Sequence, residues 1–215
     1  MVCNMKVIIV SGGEAPTKEL LEKEYEKDIC IICADSGANY LYKYNIVPNY
    51  LIGDFDSIDK DILDYFNGTS CIIRDYPKDK DFTDTMIAAE LAVSIGADEV
   101  VLLGCTGSRI DHTLGNLGIL KYFLDKNIKV YIKDSKNEIT ITDKPLVING
   151  AAGSYFSLLA FFQTVRNLTI LNAKFPLNDY TLLIGDSLTV SNEFKGLPVE
   201  ISFKEGILLI IYSKD

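Results

Sequence analysis

Acidic residues of this 215-residue chain recur in four short segments of mixed polar and small residues. They read Asp35-Ser36-Gly37, Asp54-Phe55-Asp56-Ser57, Lys78-Asp79-Lys80-Asp81-Phe82-Thr83-Asp84 and Gly104-Cys105-Thr106-Gly107-Ser108-Arg109-Ile110-Asp111-His112. Asp54 and Asp56 are two apart, so in extended backbone both carboxylates project the same way and can bracket one hard cation. Oxygen-only ligands suit Mg²⁺, above all beside phosphate. Alone, an Asp-x-Asp is a weak signal, because Asp is also a common turn and N-cap residue, and Asp56-Ser57 or Asp59 also suits a helix start. Four such loops meeting at one edge would repel one another unless a cation sat among them, which favours the metal reading.

The remaining polar residues of these loops suit phosphate. Gly104, Gly107 and Ser108 make a small-residue turn into a helix start, where backbone N–H groups and the helix dipole favour an anion. The planar guanidinium of Arg109 can clamp phosphate oxygens while Asp111 orients it or the metal. Thr83 and Asp84 open a helix, where capping and a functional role can coexist. Lys78 and Lys80 add positive charge nearby, although solvated lysines are common. Gly12-Gly13 suits either a phosphate loop or a tight turn. His112, the single histidine, suits capping or packing at least as well as catalysis. The chain has no nucleophile paired with a base, no Walker-type phosphate loop and no zinc spacing.

These loops need a scaffold that brings them together. Short apolar runs at 6–10, 29–34, 50–53, 71–74, 99–103 and 129–132 alternate with helical patterns at 17–27, 38–44, 60–66, 83–94 and 112–124. Such alternation predicts a Rossmann-like α/β domain with a mostly parallel sheet, and each acidic segment follows one of its strands, where open sheets bind ligands. After residue 135 the helical periodicity stops. Short β-rich runs at 138–142, 154–162, 164–171, 187–191, 199–202 and 207–212 follow, with turn signals such as Asn149-Gly150 and Lys195-Gly196. The expected division is therefore an α/β domain over 1–135 and an all-β domain over 136–215.

A net charge of −9 with no local Lys/Arg cluster argues against nucleic acid and anionic membranes as partners. An acidic protein that handles polyphosphate needs a cation to bridge like charges. The five cysteines show no paired spacing of a secreted framework, and Cys30-x-x-Cys33 lies in a run that reads as a buried strand. With no signal peptide pattern and no apolar run of about 18 residues, a soluble cytoplasmic protein is expected.

In their order and separation, these motifs resemble the thiamine pyrophosphokinase family. The elements that carry the resemblance are Ala34-Asp35-Ser36-Gly37-Ala38-Asn39, Pro48 through Ser57, Lys80-Asp81-Phe82-Thr83-Asp84, Gly104 through His112, and Val190-Ser191-Asn192-Glu193. The resemblance implies an α/β domain followed by a β-sandwich, in a homodimer with active sites between subunits. It implies transfer of the pyrophosphoryl group of ATP to the hydroxyl of thiamine, with Mg²⁺ on Asp54, Asp56 and Asp84, and Asp35 supporting the metal or the thiamine end. Lys80, Thr83, Arg109 and Asp111 would position phosphates, and Ser191 and Asn192 would face the thiamine pyrimidine. Some members stack a tryptophan on thiamine. This chain has none, and the apolar run 207–211 offers an aliphatic wall instead. Two rival readings are a haloacid-dehalogenase-like phosphatase with Asp54 as nucleophile and a non-catalytic module that binds metal or ligand.

Overall fold

The computed structural model describes residues 5–25, 29–79 and 81–214. Cys3, Lys80 and residues 26–27 of the first expected helix lie outside the described residues. The chain divides into two compact units, Met1–Ser135 and Lys136–Asp215.

In the first unit, β1 (Lys6–Val10), β2 (Cys30–Ala34), β3 (Tyr50–Gly53), β4 (Ile72–Asp75), β5 (Glu99–Leu103) and β6 (Lys129–Lys133) alternate with five helices. These are α1 (Lys18–Glu24), α2 (Gly37–Lys43), α3 (Lys60–Asn67), α4 (Asp84–Ser94) and α5 (Ile110–Leu124). All strand pairings here are parallel, in the order β6-β5-β1-β2-β3-β4. Inner strands of a parallel sheet are covered on both faces, so they read as unbroken apolar runs. Every residue of β2 is buried, whereas β4 at the edge is largely exposed. Cys30 and Cys33 are free, buried thiols of this strand, and burial pushes both up from the ordinary thiol range.

From β1 the strands run one way through β2 to β4, and then α4 returns the chain to β5 on the other side of β1. Neighbouring loops therefore depart in opposite directions between β1 and β5, which opens a crevice at their carboxyl ends. The two helices beside that crevice start from fixed positions. The Thr83 hydroxyl oxygen caps α4 by accepting from Met86 N at 3.3 Å. α5 begins at Ile110, two residues before the sequence pattern places it, with Arg109 at its N-cap position.

The second unit holds β7 (Asn137–Thr142), β8 (Leu146–Ile148), β9 (Tyr155–Ala160), β10 (Val165–Leu171), β11 (Leu177–Leu182), β12 (Asn192–Glu193), β13 (Val199–Ser202) and β14 (Leu208–Ser213). Antiparallel pairing gives the orders β12-β9-β14-β7 and β11-β10-β13-β8. Alternate residues of both sets share one core, for example Phe156 and Leu158 of β9 with Leu168 and Ile170 of β10, as in a β-sandwich. The run 187–191 is a turn and not a strand: Val190 N donates to Ser187 O at 3.1 Å, and Ser191 takes φ 57°. β8 and β11 carry no clear strand signal. β11 includes Asn178-Asp179, and Asp179 has φ 50° in a ladder with two register shifts, so its residues read as a turn.

Candidate active site

Strands β2 and β3 bring the first carboxylates together. Asp35, one residue past β2, has φ 46°, and its N–H donates to Ile52 O at 2.8 Å. The backbone of Gly53 passes so close that an added Cβ would stand 3.2 Å from Asp35 Cα. Asp54 and Asp56 then converge through a turn, not through the extended backbone that their spacing suggests. Phe55 has φ 60°, and Asp54 Oδ1 accepts from Asp56 N at 3.1 Å. Carboxylate oxygens of Asp35, Asp54 and Asp56 consequently lie within 4.8 Å of one another.

Burial raises the Asp35 carboxyl, against hydrogen bonds from Ser36 N–H and Ser57, and the charges of Asp84 and Asp54 raise it further. Its Oδ1 is buried without a hydrogen-bond partner among the described residues. An oxygen-only trio with a buried acceptor that lacks a donor fits a hard divalent cation. Asp84 lies outside the trio but near enough to act on Asp35, from the first turn of α4. Lys78 ion-pairs with Asp56, and this hydrogen bond together with that of Ser57 holds the Asp56 carboxyl below its ordinary value.

The trio adjoins a cleft of about 620 Å³ at the β1/β5 crevice, where Asp35, Thr83, Asp84, Gly104, Ser108 and Arg109 all line the wall. Here the backbone runs very close. Gly13 N donates to Gly104 O at 2.7 Å and Glu14 N to Thr106 O at 2.6 Å. A Cβ on Gly13 would meet Thr106 O at 2.3 Å. The Gly13 amide is thus spent on the neighbouring loop, and its glycine serves close approach rather than phosphate.

At the far side, the 15-residue α5 directs its N-terminus at the cleft through Gly107 and Ser108. Arg109 Nη2 donates to Asp111 Oδ2 at 2.6 Å and Nε to Oδ1 at 3.3 Å. The guanidinium hydrogen bond holds the Asp111 carboxyl down at about 2. Asp111 does not line the cleft; it fixes the plane of the group that does. His112 also lines it.

Ser191 and Asn192 belong to the second unit. Asn192 is 3% exposed, and its side chain is engaged with backbone: Oδ1 accepts from Phe175 N at 3.1 Å and Nδ2 donates to Phe175 O at 2.8 Å. Ser191 N donates to Ser157 Oγ at 3.0 Å. The sequence reading also missed Ser11, Thr85 and Asn116, which line the cleft floor. Their only advance signal is a polar side chain just past a strand end or among the apolar residues of a helix.

A parallel α/β unit with grouped carboxylates, an oriented arginine and a helix N-terminus at its switch-point cleft has the makings of a site for a phosphorylated ligand. The family model described as "Thiamin pyrophosphokinase, catalytic domain" matches residues 21–132, and that described as "Thiamin pyrophosphokinase, vitamin B1 binding domain" matches residues 136–208. Thiamine pyrophosphokinase of Bacillus subtilis (strain 168) is 31% identical over 214 residues, which cover 98% of this chain and 100% of the relative. The crystal structure of thiamine pyrophosphokinase from Bacillus subtilis aligns with TM-score 0.88 at 29% identity, over 98% of this chain and 99% of that one. That of thiamin pyrophosphokinase from Geobacillus thermodenitrificans aligns with TM-score 0.85 at 31% identity, over 98% of each chain. The chain belongs to the thiamin pyrophosphokinase family.

Proposed function

We propose that this enzyme transfers the pyrophosphoryl group of ATP to the hydroxyl of thiamine, giving thiamine diphosphate and AMP. The observation that carries this reading is the trio of Asp35, Asp54 and Asp56 at the edge of a cleft in a chain of this family. These carboxylates, with Asp84 beside them, would hold Mg²⁺, which when bound neutralises charge on the triphosphate. Arg109, its plane set by Asp111, and the N-terminus of α5 with Gly104 and Ser108 bind phosphate oxygens from the other side. Thr83, its oxygen engaged as a cap, keeps its hydroxyl proton for a phosphate oxygen. Lys80 has the same role by its place in the motif. The thiamine hydroxyl attacks the β-phosphorus and AMP leaves in line, so the chain's task is positioning and charge stabilisation rather than covalent catalysis. The phosphatase alternative has less support, because Asp54 follows the third strand of the sheet and sits in a group of three.

Thiamine is held through the second unit, with Ser191 presented by the turn and Asn192 as the buried anchor beneath it. The protein acts in the cytoplasm as a homodimer with active sites shared between subunits. Apolar surface supports the dimer: Leu183, Ile184 and Leu188 are 56, 59 and 58% exposed, and Ile110 and Leu114, one turn apart on α5, are 65 and 52% exposed. Light scattering should give twice the chain mass; a monomer at assay concentration would defeat the shared site. ³¹P NMR of the protein with ATP, Mg²⁺ and thiamine tests the reaction. Thiamine-dependent AMP with a new diphosphate ester is expected, and ADP or inorganic phosphate as product would overturn it.

A further inference from the structure

Thr85, Ser11, Cys105 and Asn116 form a continuous polar line under the cleft. All are buried, at 8, 4, 2 and 8% exposure. Thr85 Oγ1 and Ser11 Oγ are 3.0 Å apart. Ser11 N donates to Leu103 O at 2.9 Å, and the Cys105 thiol donates to the same carbonyl at 3.7 Å, which joins the two residues. Either hydroxyl of the Thr85–Ser11 pair can be the donor, and removing one leaves the other without its partner. Cys105 O in turn accepts from Asn116 Nδ2 at 2.8 Å. The line runs from α4, through the end of β1 and the loop after β5, to α5.

Buried hydroxyl and amide groups cost free energy unless paired, and apolar side chains would fill the same space without that cost. What hydrogen bonds add is fixed distance and direction. The two joined helices carry Asp84 and Arg109 in and just before their first turns, and both residues line the cleft.

We propose that Thr85, Ser11, Cys105 and Asn116 act as a positioning chain for pyrophosphoryl transfer, holding the start of α4 and the start of α5 at the separation the reaction needs. The inference rests on the reaction proposed above. None of the four residues has to touch substrate. Their effect passes through Asp84 and Arg109, and a misplacement of about 1 Å in such groups is enough to cost about a hundredfold in rate.

The test uses the full chain and steady-state AMP release. Thr85→Val keeps the side-chain shape and removes the hydroxyl, Thr85→Ser restores it, and Asn116→Leu removes the amide at the far end without adding charge. Thr85→Val and Asn116→Leu should each lower kcat about tenfold or more, with KM for ATP and thiamine within about twofold. Thr85→Ser should recover most of the rate. The double variant should lose little more than either single one, because a broken chain cannot be broken again. Unchanged kcat in a folded Thr85→Val would overturn the proposal, as would additive losses in the double variant. A raised KM for ATP at unchanged kcat would also overturn it, by making these residues direct substrate contacts. Should Thr85→Val not fold, the Asn116→Leu comparison carries the same expectations. Wild-type turnover beside an unaffected variant overturns the chain while leaving the reaction standing.

Discussion

Lys78 forms an ion pair with Asp56, the one well-exposed carboxylate of the group made with Asp35 and Asp54. Its ammonium therefore occupies an oxygen that a metal would use. Replacing the charge in Lys78→Gln should tighten Mg²⁺ binding to the nucleotide-free protein by about twofold to fivefold, the modest gain expected for an exposed pair. Calorimetric titration with Mg²⁺ reads this directly. Weaker binding in the variant would mean that Lys78 supports the metal site instead of competing for it.

Asp54→Asn removes one carboxylate of the proposed metal site and no core volume. It should cut AMP formation by about a hundredfold to a thousandfold while the thermal transition stays near that of the wild type. Near-normal turnover would remove Asp54 from the metal site.

Residue type and spacing made the α/β half legible, because its inner strands are unbroken apolar runs and Thr83 caps α4 as its position suggests. The acidic loops were legible for the same reason. Their geometry was not: Asp54 and Asp56 converge through a left-handed Phe55, and Asp35 joins them through the pairing of β2 with β3. Ser11 and Asn116 were silent because their partners stand 74 and 11 positions away, and no local pattern encodes such pairs. Asn192 shows the converse case. Its motif marks it for a ligand, but both ends of its amide hold the backbone of Phe175.

Gly104 has φ +65°, and a Cβ there would lie 2.1 Å from Ser11 O. Gly104→Ala combines backbone strain with an overlap that only backbone movement relieves, and should cost on the order of 3 kcal/mol. Gly115, within α5, has nothing within 4 Å of the equivalent position. Gly115→Ala should instead stabilise the fold by about 0.5–1 kcal/mol through helix propensity. Urea denaturation of both variants checks the contrast. Equal effects would show that close approach of the two loops is not what requires glycine at 104.

Glu24 closes α1 against two strands. Its carboxylate, 6% exposed, accepts from Lys6 Nζ at 2.9 Å and Lys133 Nζ at 2.8 Å. Burial alone would raise this carboxyl, but the hydrogen bonds and charges of the two lysines outweigh burial and hold it below its ordinary 4.5. A carboxyl lowered by folding contributes its full stabilisation above the unfolded value and loses it as pH falls through the folded one. Glu24→Gln, which leaves two half-buried ammonium groups facing an amide, should therefore cost about 2 kcal/mol at about pH 7. The gap from wild type should narrow as pH falls below 4.5 and close as pH passes through the lower folded value, where the wild-type carboxyl becomes protonated and resembles the amide. Denaturation midpoints of both proteins at about pH 7 and about pH 3 measure the gap at each end. A gap of the same size at both would mean that Glu24 acts through packing, and that its charge does not hold α1 to the sheet.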